Sequence, residues 1–238
     1  MITRAIYNWV RVGSALLTVA ATRLCRGQHP KHLVEGYGDP FYLRWVGRCA
    51  RILDIGSGTG RHARRCRERG ADMMTLDLRD GADMQRDANE PLPFGDGVLS
   101  GILMLDVLEH LDEPLNVLRE CYRVLRPGGW IALSVPNANT RWKRRYRRVG
   151  LPCMADDDHK REFTESDVPD ILYVAGFRVV EGPEAIIYDT PLAGVYDFLG
   201  ALWLPLYRWS VRRRKRQVAR WPGETTGWKM IAVKEPGE

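Results

Sequence analysis

Residues 52–61 read Ile-Leu-Asp-Ile-Gly-Ser-Gly-Thr-Gly-Arg. Three glycines alternating over five residues let the backbone turn sharply and let a ligand lie against it with no Cβ in the way. A helix starting just after them would aim its first amides and its positive dipole end at the same ligand. The order of the glycines excludes two common loops. A dinucleotide fingerprint needs G-x-G-x-x-G, and here Gly60 comes one residue early; a phosphate-cradling P-loop needs Gly-Lys-Ser/Thr, which is absent. Asp77 follows Gly60 by 17 residues, where a β-α-β unit brings two strand tips side by side. A carboxylate there can accept hydrogen bonds from both hydroxyls of an adenosine ribose. For proton transfer near neutral pH the chain offers His110 and His159.

These residues need a frame of alternating strands and helices. The apolar run through Ile55 fits a buried parallel strand. Residues 36–40 read as a turn-rich entry and residues 41–50 as a helix feeding that strand. Residues 61–69 read as a basic helix closed by Gly70, and residues 73–77 as a second strand ending in Asp77. Too little chain remains for a helix before Asp87, so residues 82–88 are expected as a short third strand carrying Asp87 and Ala88 at its end. The apolar run 98–105 suits a central strand and leads into Asp106-Val107-Leu108-Glu109-His110-Leu111. Glu109 reads as a helix N-terminal residue. Leu115, Leu118, Tyr122 and Leu125 keep helical spacing, Arg126-Pro127-Gly128-Gly129 breaks that helix, and residues 130–135 form a fifth strand. A last strand covers 228–234.

Charge is unevenly placed. The chain has 36 Lys and Arg against 30 Asp and Glu, yet the stretches 141–148 and 208–220 hold thirteen of the cations and no acid. The remainder is net acidic, so two local patches make the protein basic. Such patches call for an anionic partner: a membrane surface, a phosphorylated substrate or nucleic acid. Trp142 and Tyr146 interleave with the first patch, which suits phosphates, lipid headgroups or RNA. Cys25, Cys49, Cys66, Cys121 and Cys153 are scattered, with no C-x-x-C and no paired His spacing. That argues against a zinc site or disulfide framework, and for a reducing compartment. No metal site is expected.

The first 35 residues place Ile2, Ile6, Trp9, Val10, Gly13, Leu16, Leu17, Ala20 and Leu24 at helical spacing, an amphipathic pattern. A signal peptide with residues 12–22 as its apolar core is the competing reading. A span is excluded, because Arg11 and Arg23 bracket only eleven residues where about 20 are needed. The helix either packs on the domain or lies on a membrane. Residues 188–227 form a late insertion in which Val195, Phe198, Leu199, Leu202, Trp203, Leu204, Leu206 and Tyr207 precede residues 212–216, all basic. Apolar-aromatic followed by polybasic suits a helix lying in an anionic lipid interface; a lid or dimer element is the alternative.

Further motifs follow in order: Leu92-Pro93-Phe94, the Asp106–Leu111 stretch, Leu125-Arg126-Pro127-Gly128-Gly129-Trp130, Ser134-Val135-Pro136-Asn137, His159 before Phe163-Thr164, and Ala175-Gly176-Phe177. Together with D-x-G-x-G-x-G they resemble the type 11 subgroup of class I S-adenosylmethionine-dependent methyltransferases, over about residues 45–182 and the last strand. Two positions depart from the pattern: Val98-Leu99-Ser100 stands where Ser-Phe-Asp is common, and Asp106 where Glu is common.

The resemblance implies an α/β fold: a Rossmann-like, mostly parallel seven-stranded sheet with an antiparallel last strand and helices on both faces. In the domain scheme, residues 1–35 are an N-terminal helix and residues 36–238 the methyltransferase domain. It implies S-adenosyl-L-methionine as cofactor, with Gly56, Ser57, Gly58 and Gly60 along its methionine and ribose portions. Asp54 would orient the loop, Asp77 would take the ribose, Asp87 and Ala88 would meet adenine, and Leu78 is a further cofactor-binding residue. Leu105 and Asp106 would lie by the sulfonium end, and His110 and His159 are the candidates for a general base. The implied acceptor is small or lipid-linked, of quinone-precursor, sugar or glycan type, at the cytoplasmic face of a membrane. RNA methylation and a non-catalytic cofactor-binding module are the alternatives; no RNA-binding module stands in the sequence, so nucleic acid fits less well. Nothing in the sequence sets the oligomeric state.

Overall fold

A computed structural model describes residues 2–25, 40–190 and 192–236. The expected entry turn at residues 36–39 and the remainder of the N-terminal segment, residues 26–35, lie outside the described residues. So do the side chains of Ile2, Ile6 and Val10. Seven strands form one sheet: β1 (Arg51–Ile55), β2 (Asp72–Asp77), β3 (Met84–Gln85), β4 (Leu99–Leu105), β5 (Leu125–Pro136), β6 (Phe177–Ala185) and β7 (Gly227–Lys234). Their order is β3-β2-β1-β4-β5-β7-β6. The pairs from β3 through β5 are parallel, and β5 with β7 is antiparallel, as expected.

The helices are α1 (Ile2–Leu24), α2 (Arg61–Arg67), α3 (Pro114–Val124), α4 (Arg141–Arg148), α5 (Asp167–Val174), α6 (Ala193–Leu202) and α7 (Leu204–Arg220). Apolar side chains on one face of the sheet, among them Ile52, Met73, Leu103, Ala132 and Ile231, pack with Ala63 and Cys66 of α2 and with Tyr42. Gly101 is required in β4, because a Cβ there would meet the Trp130 ring at 2.5 Å.

Three local expectations change. Residues 41–50 are not a helix. Only Phe41–Trp45 forms a 3-10 turn, and the chain then reverses through Cys49, whose φ of +57° and amide bond to the Gly70 carbonyl turn it into β1. The third strand shrinks to Met84 and Gln85. Beside it the Asp83 carboxylate accepts from the Thr75 amide at 2.9 Å and from its hydroxyl at 2.8 Å, while the Asp83 amide donates to Thr75 Oγ1 at 2.8 Å. Side-chain bonds thus replace a ladder at this sheet edge. The fifth strand, expected over 130–135, already begins at Leu125 once the helix has ended; residues 126–129 bulge out of it, where the pairing to β4 jumps from Leu125 to Trp130.

The contacts divide the chain into two compact units. One holds the sheet, with residues 40–138, 154–184 and the chain from Gly227 onward. The other is helical and joins α1, residues 139–153 with α4, and residues 185–226 with α6 and α7. The N-terminal helix and the late insertion, expected as separate appendages, therefore belong to one helical unit. The reason is direct packing of α1 on α6: the Gly194 amide donates to Ser14 Oγ at 2.9 Å, and a Cβ on Gly194 would fall 1.9 Å from the Ser14 carbonyl oxygen.

Candidate functional site

Strand order reverses between β1 and β4: the chain proceeds from β1 toward β2 on one side and from β4 toward β5 on the other. In a parallel sheet the carboxyl ends of these strands frame a crevice suited to ligand binding. The glycine loop leaves the end of β1. Gly56, Gly58 and Gly60 all have positive φ, at +68°, +53° and +68°. Gly56 lets the loop close on the turn after β4, since a Cβ there would meet Val107 Cγ2 at 2.4 Å. At Gly58 and Gly60 a Cβ would enter open space. The Asp77 carboxylate, at the end of β2, accepts from the Gly58 amide at 2.7 Å and from the Arg79 amide at 2.9 Å. Leu78 beside it is 66% exposed. Asp87 closes an Asx turn over Asn89, and Ala88 next to it is half-buried.

Asp54 lies beneath the loop, almost fully buried. Its Oδ2 has no hydrogen-bond partner, while the Ala63 amide supports the carboxylate. Burial, reinforced by the nearby Asp77 charge, pushes its pKa up to about 7. Asp106, the residue after β4, lies in the left-handed region, φ +57°, and is held there by Ser134 Oγ, which donates to its Oδ1 at 2.8 Å. A non-glycine residue in that conformation is strained backbone fixed by its surroundings. Leu105 before it is half-buried.

A second cluster gathers beyond Asp106. His110 and His159 meet edge-on, with ring centroids 4.8 Å apart. His110 Nδ1 lies 3.2 Å from the Asp158 carbonyl, which can only accept, so Nδ1 carries the proton and donates. His159 Nδ1 lies 3.2 Å from Glu162 Oε1, and its Nε2 is 3.9 Å from Glu109 Oε1. The segment carrying His159 is strapped to the end of β5, where the Phe163 amide donates to the Pro136 carbonyl and the Ala138 amide to the Phe163 carbonyl. Glu109 is not an exposed helix-start residue. It lies buried in a 3-10 turn, its Oε2 without a partner, and burial beside Asp106 raises its pKa to about 8. One donor atom each from Glu109, His110 and His159 lie within 4.8 Å of one another. This geometry can pass a proton, and it can also surround a divalent cation.

A family model described as a methyltransferase domain matches residues 29–182. The chain belongs to the methyltransferase-domain family. A Mycolicibacterium smegmatis protein named a probable S-adenosylmethionine-dependent methyltransferase is 30% identical over 145 residues, 61% of this chain and 49% of that protein. The ubiquinone biosynthesis O-methyltransferase of Burkholderia thailandensis is 25% identical over 170 residues, 60% of this chain and 73% of that enzyme. That of Pseudomonas aeruginosa is 28% identical over 122 residues, 42% and 53%. The match spans about half the length of most of these curated relatives.

Solved structures share the methyltransferase fold. One from Archaeoglobus fulgidus, described as S-adenosylmethionine-dependent, superposes with TM-score 0.60 at 21% identity, covering 91% of this chain and 98% of that one. A Burkholderia thailandensis 1,6-didemethyltoxoflavin-N1-methyltransferase, solved with its substrate and S-adenosylhomocysteine, superposes with TM-score 0.55 at 20% identity, covering 97% and 90%.

Several residues of this methyltransferase-domain site carry no strong sequence signal. Ser134 stands in a family motif, but its grip on Asp106 follows only from the β4–β5 register. Arg61 opens α2, where burial and the neighbouring Arg65 charge lower its pKa while Tyr42 and Asp106 oppose them. Glu162, three residues after His159, is found only by the fold, which brings its Oε1 to 3.2 Å from His159 Nδ1, a carboxylate contact that fixes the ring's tautomer.

Proposed function

We propose that this chain is an S-adenosylmethionine-dependent O-methyltransferase acting on a hydroxyl of a small or lipid-linked acceptor, of quinone-precursor or glycan type, at the cytoplasmic face of a membrane. The observation that carries the cofactor is the Asp77–Gly58 bond at the switch point, with open space above Gly58 and Gly60. The residues fit the cofactor. Asp77 has a carboxylate for the ribose diol, Leu78 an exposed apolar surface for adenine, with Asp87 and Ala88 nearby. Gly56, Ser57, Gly58 and Gly60 lie along the remainder, and Leu105 and Asp106 stand at the end of β4. When bound, the cofactor supplies a methyl group on a sulfonium, so alignment and exclusion of water are the main tasks left to the protein.

O-methylation is supported by His159. Glu162 holds the proton on Nδ1, which leaves the Nε2 lone pair to accept one from an acceptor hydroxyl. His110 orients the acceptor beside it. The similarity to ubiquinone biosynthesis O-methyltransferases speaks for the same chemistry. The basic, aromatic helical unit supports a membrane setting.

The test is titration calorimetry with S-adenosylhomocysteine on the wild type and Asp77→Ala. Losing a charge-assisted acceptor and the bond that shapes the loop predicts roughly a hundredfold weaker binding, about 3 kcal/mol. Unchanged affinity would remove Asp77 from the site. Methyl transfer to a demethylated quinone analogue, measured in detergent, tests the acceptor separately.

A further inference from the structure

The helical unit has a small apolar core, in which Ile187, Tyr207 and Val211 are buried with Ile186, Tyr196 and Leu204 against them. Beside that core it buries polar groups. Asp197 is 5% exposed and accepts from Thr18 Oγ1 and from the Tyr207 hydroxyl, both at 3.0 Å, so one carboxylate ties α1, α6 and α7 together. Ser14 meets Gly194 nearby. Large apolar side chains are exposed on α1 and α6. Trp9, Val12, Leu16 and Val19 recur at three- and four-residue spacing on α1 and are exposed, Trp9 at 78% and Leu16 at 65%. On α6, Leu199 and Leu202 are exposed, and Trp203 at the joint with α7 is 61% exposed. Large exposed apolar side chains gathered on one unit call for a covering partner.

The charge on α7 says what kind. Trp209, Arg212, Arg213, Arg216 and Arg220 share one face of the helix, and with Trp221 they line a groove of about 600 Å³. Arg213 stacks over Trp209 at 5.4 Å and Arg220 over Trp221 at 5.0 Å. Among the described residues, no ion pair reaches Arg212, Arg213, Arg216 or Arg220. The unit's described acids are Asp189, Asp197 and Glu224, and each is already engaged: Asp189 by Thr140 and Trp142, Asp197 as above, and Glu224 by Arg144 at 2.9 Å and by the Arg141 amide at 2.7 Å. A stripe of unneutralised arginines flanked by tryptophans matches the phosphate level of a bilayer, and the exposed apolar side chains of α1 and α6 match its acyl boundary. No described helix is long and apolar enough to cross a membrane, so the fit is to a helix pair lying in the interface.

We infer that α1, α6 and α7 form a docking face for an anionic phospholipid bilayer, with Trp9, Leu16, Leu202 and Trp203 entering the acyl boundary and the α7 groove taking lipid phosphates. This deepens the membrane setting given above and rests on it. A second copy of the chain, a soluble phosphate ligand and RNA are the competing occupants, and each has its own outcome below.

The test is co-sedimentation of the full chain with vesicles of phosphatidylcholine alone and of phosphatidylcholine with an equal part of phosphatidylglycerol. Wild type is expected on the anionic vesicles, more weakly on the neutral ones, with binding reduced by salt. Replacing Arg212, Arg213, Arg216 and Arg220 by Gln together should weaken anionic-vesicle binding about a hundredfold, and Leu16→Ser with Trp203→Ser should abolish what survives at high salt. S-adenosylhomocysteine affinity and the melting temperature, measured on the same variants, should not change; this separates loss of docking from failure of the cofactor site or of folding. Undiminished vesicle binding by the arginine variant would overturn the inference. So would absence of binding with a concentration-dependent dimer lost in Leu16→Ser, equal competition by inorganic phosphate, or tighter binding to tRNA than to anionic vesicles.

Discussion

Asp54 and Glu109 in the sheet unit and Asp197 in the helical unit are carboxylates shut away from water, and Asp189 beside the helical unit's α4 is half-buried, yet their oxygens are met differently. Asp189 accepts from Trp142 and Thr140, and Asp197 from Thr18 and Tyr207. In the sheet unit one oxygen of Asp54 and one of Glu109 are left without a partner. Burial raises the pKa of Asp54 to about 7 and of Glu109 to about 8, so both change charge close to neutral pH. A fully bonded buried acid holds helices in register. A half-bonded one beside the candidate site keeps its proton available, which is where perturbed groups gather when chemistry needs them. The difference assigns scaffolding to one set and site chemistry to the other.

The sharpest way to break that division is at His159, whose Nδ1 is committed to Glu162 while its Nε2 faces Glu109. His159→Ala is expected to lower kcat by about a hundredfold or more with S-adenosylhomocysteine affinity unchanged. Glu162→Gln should give a smaller loss and move the pH profile, because the tautomer is no longer fixed. An unaltered kcat in His159→Ala would leave methyl transfer to alignment alone. Chelation by EDTA is expected to leave the rate untouched; a loss restored by magnesium would turn the Glu109–His110–His159 cluster into a cation site.

What could be read in advance was what depends on near neighbours in the chain. The glycines of residues 56–60 and Asp77 at a strand tip follow from local pattern and spacing, and the seven-stranded, mostly parallel sheet from the family resemblance. What could not be read depends on partners brought from afar. Asp83 takes over the β2 edge by bonding Thr75, so a strand expected over 82–88 shrinks to two residues. Glu109 looks like any acid at a helix start, and only the surrounding chain buries it: the amides of Lys160 and Arg161 both donate to its carbonyl. The bond joining Thr18 to Asp197 spans 179 residues, and no periodicity in either helix announces it.

Glu109 gives a second way to sharpen the contrast, through pH. Its pKa rises from 4.5 to about 8 on folding, mainly by burial. The folded chain therefore holds a proton that the unfolded chain releases, and the associated stability is complete below about pH 4.5 and lost as pH climbs through about 8. Glu109→Gln removes this dependence. By urea unfolding, the variant should gain on the wild type by roughly 2–4 kcal/mol between pH 5 and pH 8.5. Parallel stability curves across that range would mean that Glu109 is not buried as a neutral acid.

The smallest expected effect lies in the helical unit, and its sign is opposite. Asp197→Ala leaves the Thr18 and Tyr207 hydroxyls without their acceptor, and Tyr207 is 1% exposed, so water cannot readily replace it. An unsatisfied buried donor costs about 1–3 kcal/mol, against the gain expected for Glu109→Gln at high pH. Asp197→Asn should recover part of the loss, because the amide oxygen still accepts one of the two bonds. Cofactor affinity should stay at the wild-type value in both variants, since the bonds removed lie within the helical unit. A melting temperature unmoved by Asp197→Ala would mean that this carboxylate does not tie the three helices together. Cofactor affinity falling in step with stability would instead show that the two units unfold as one.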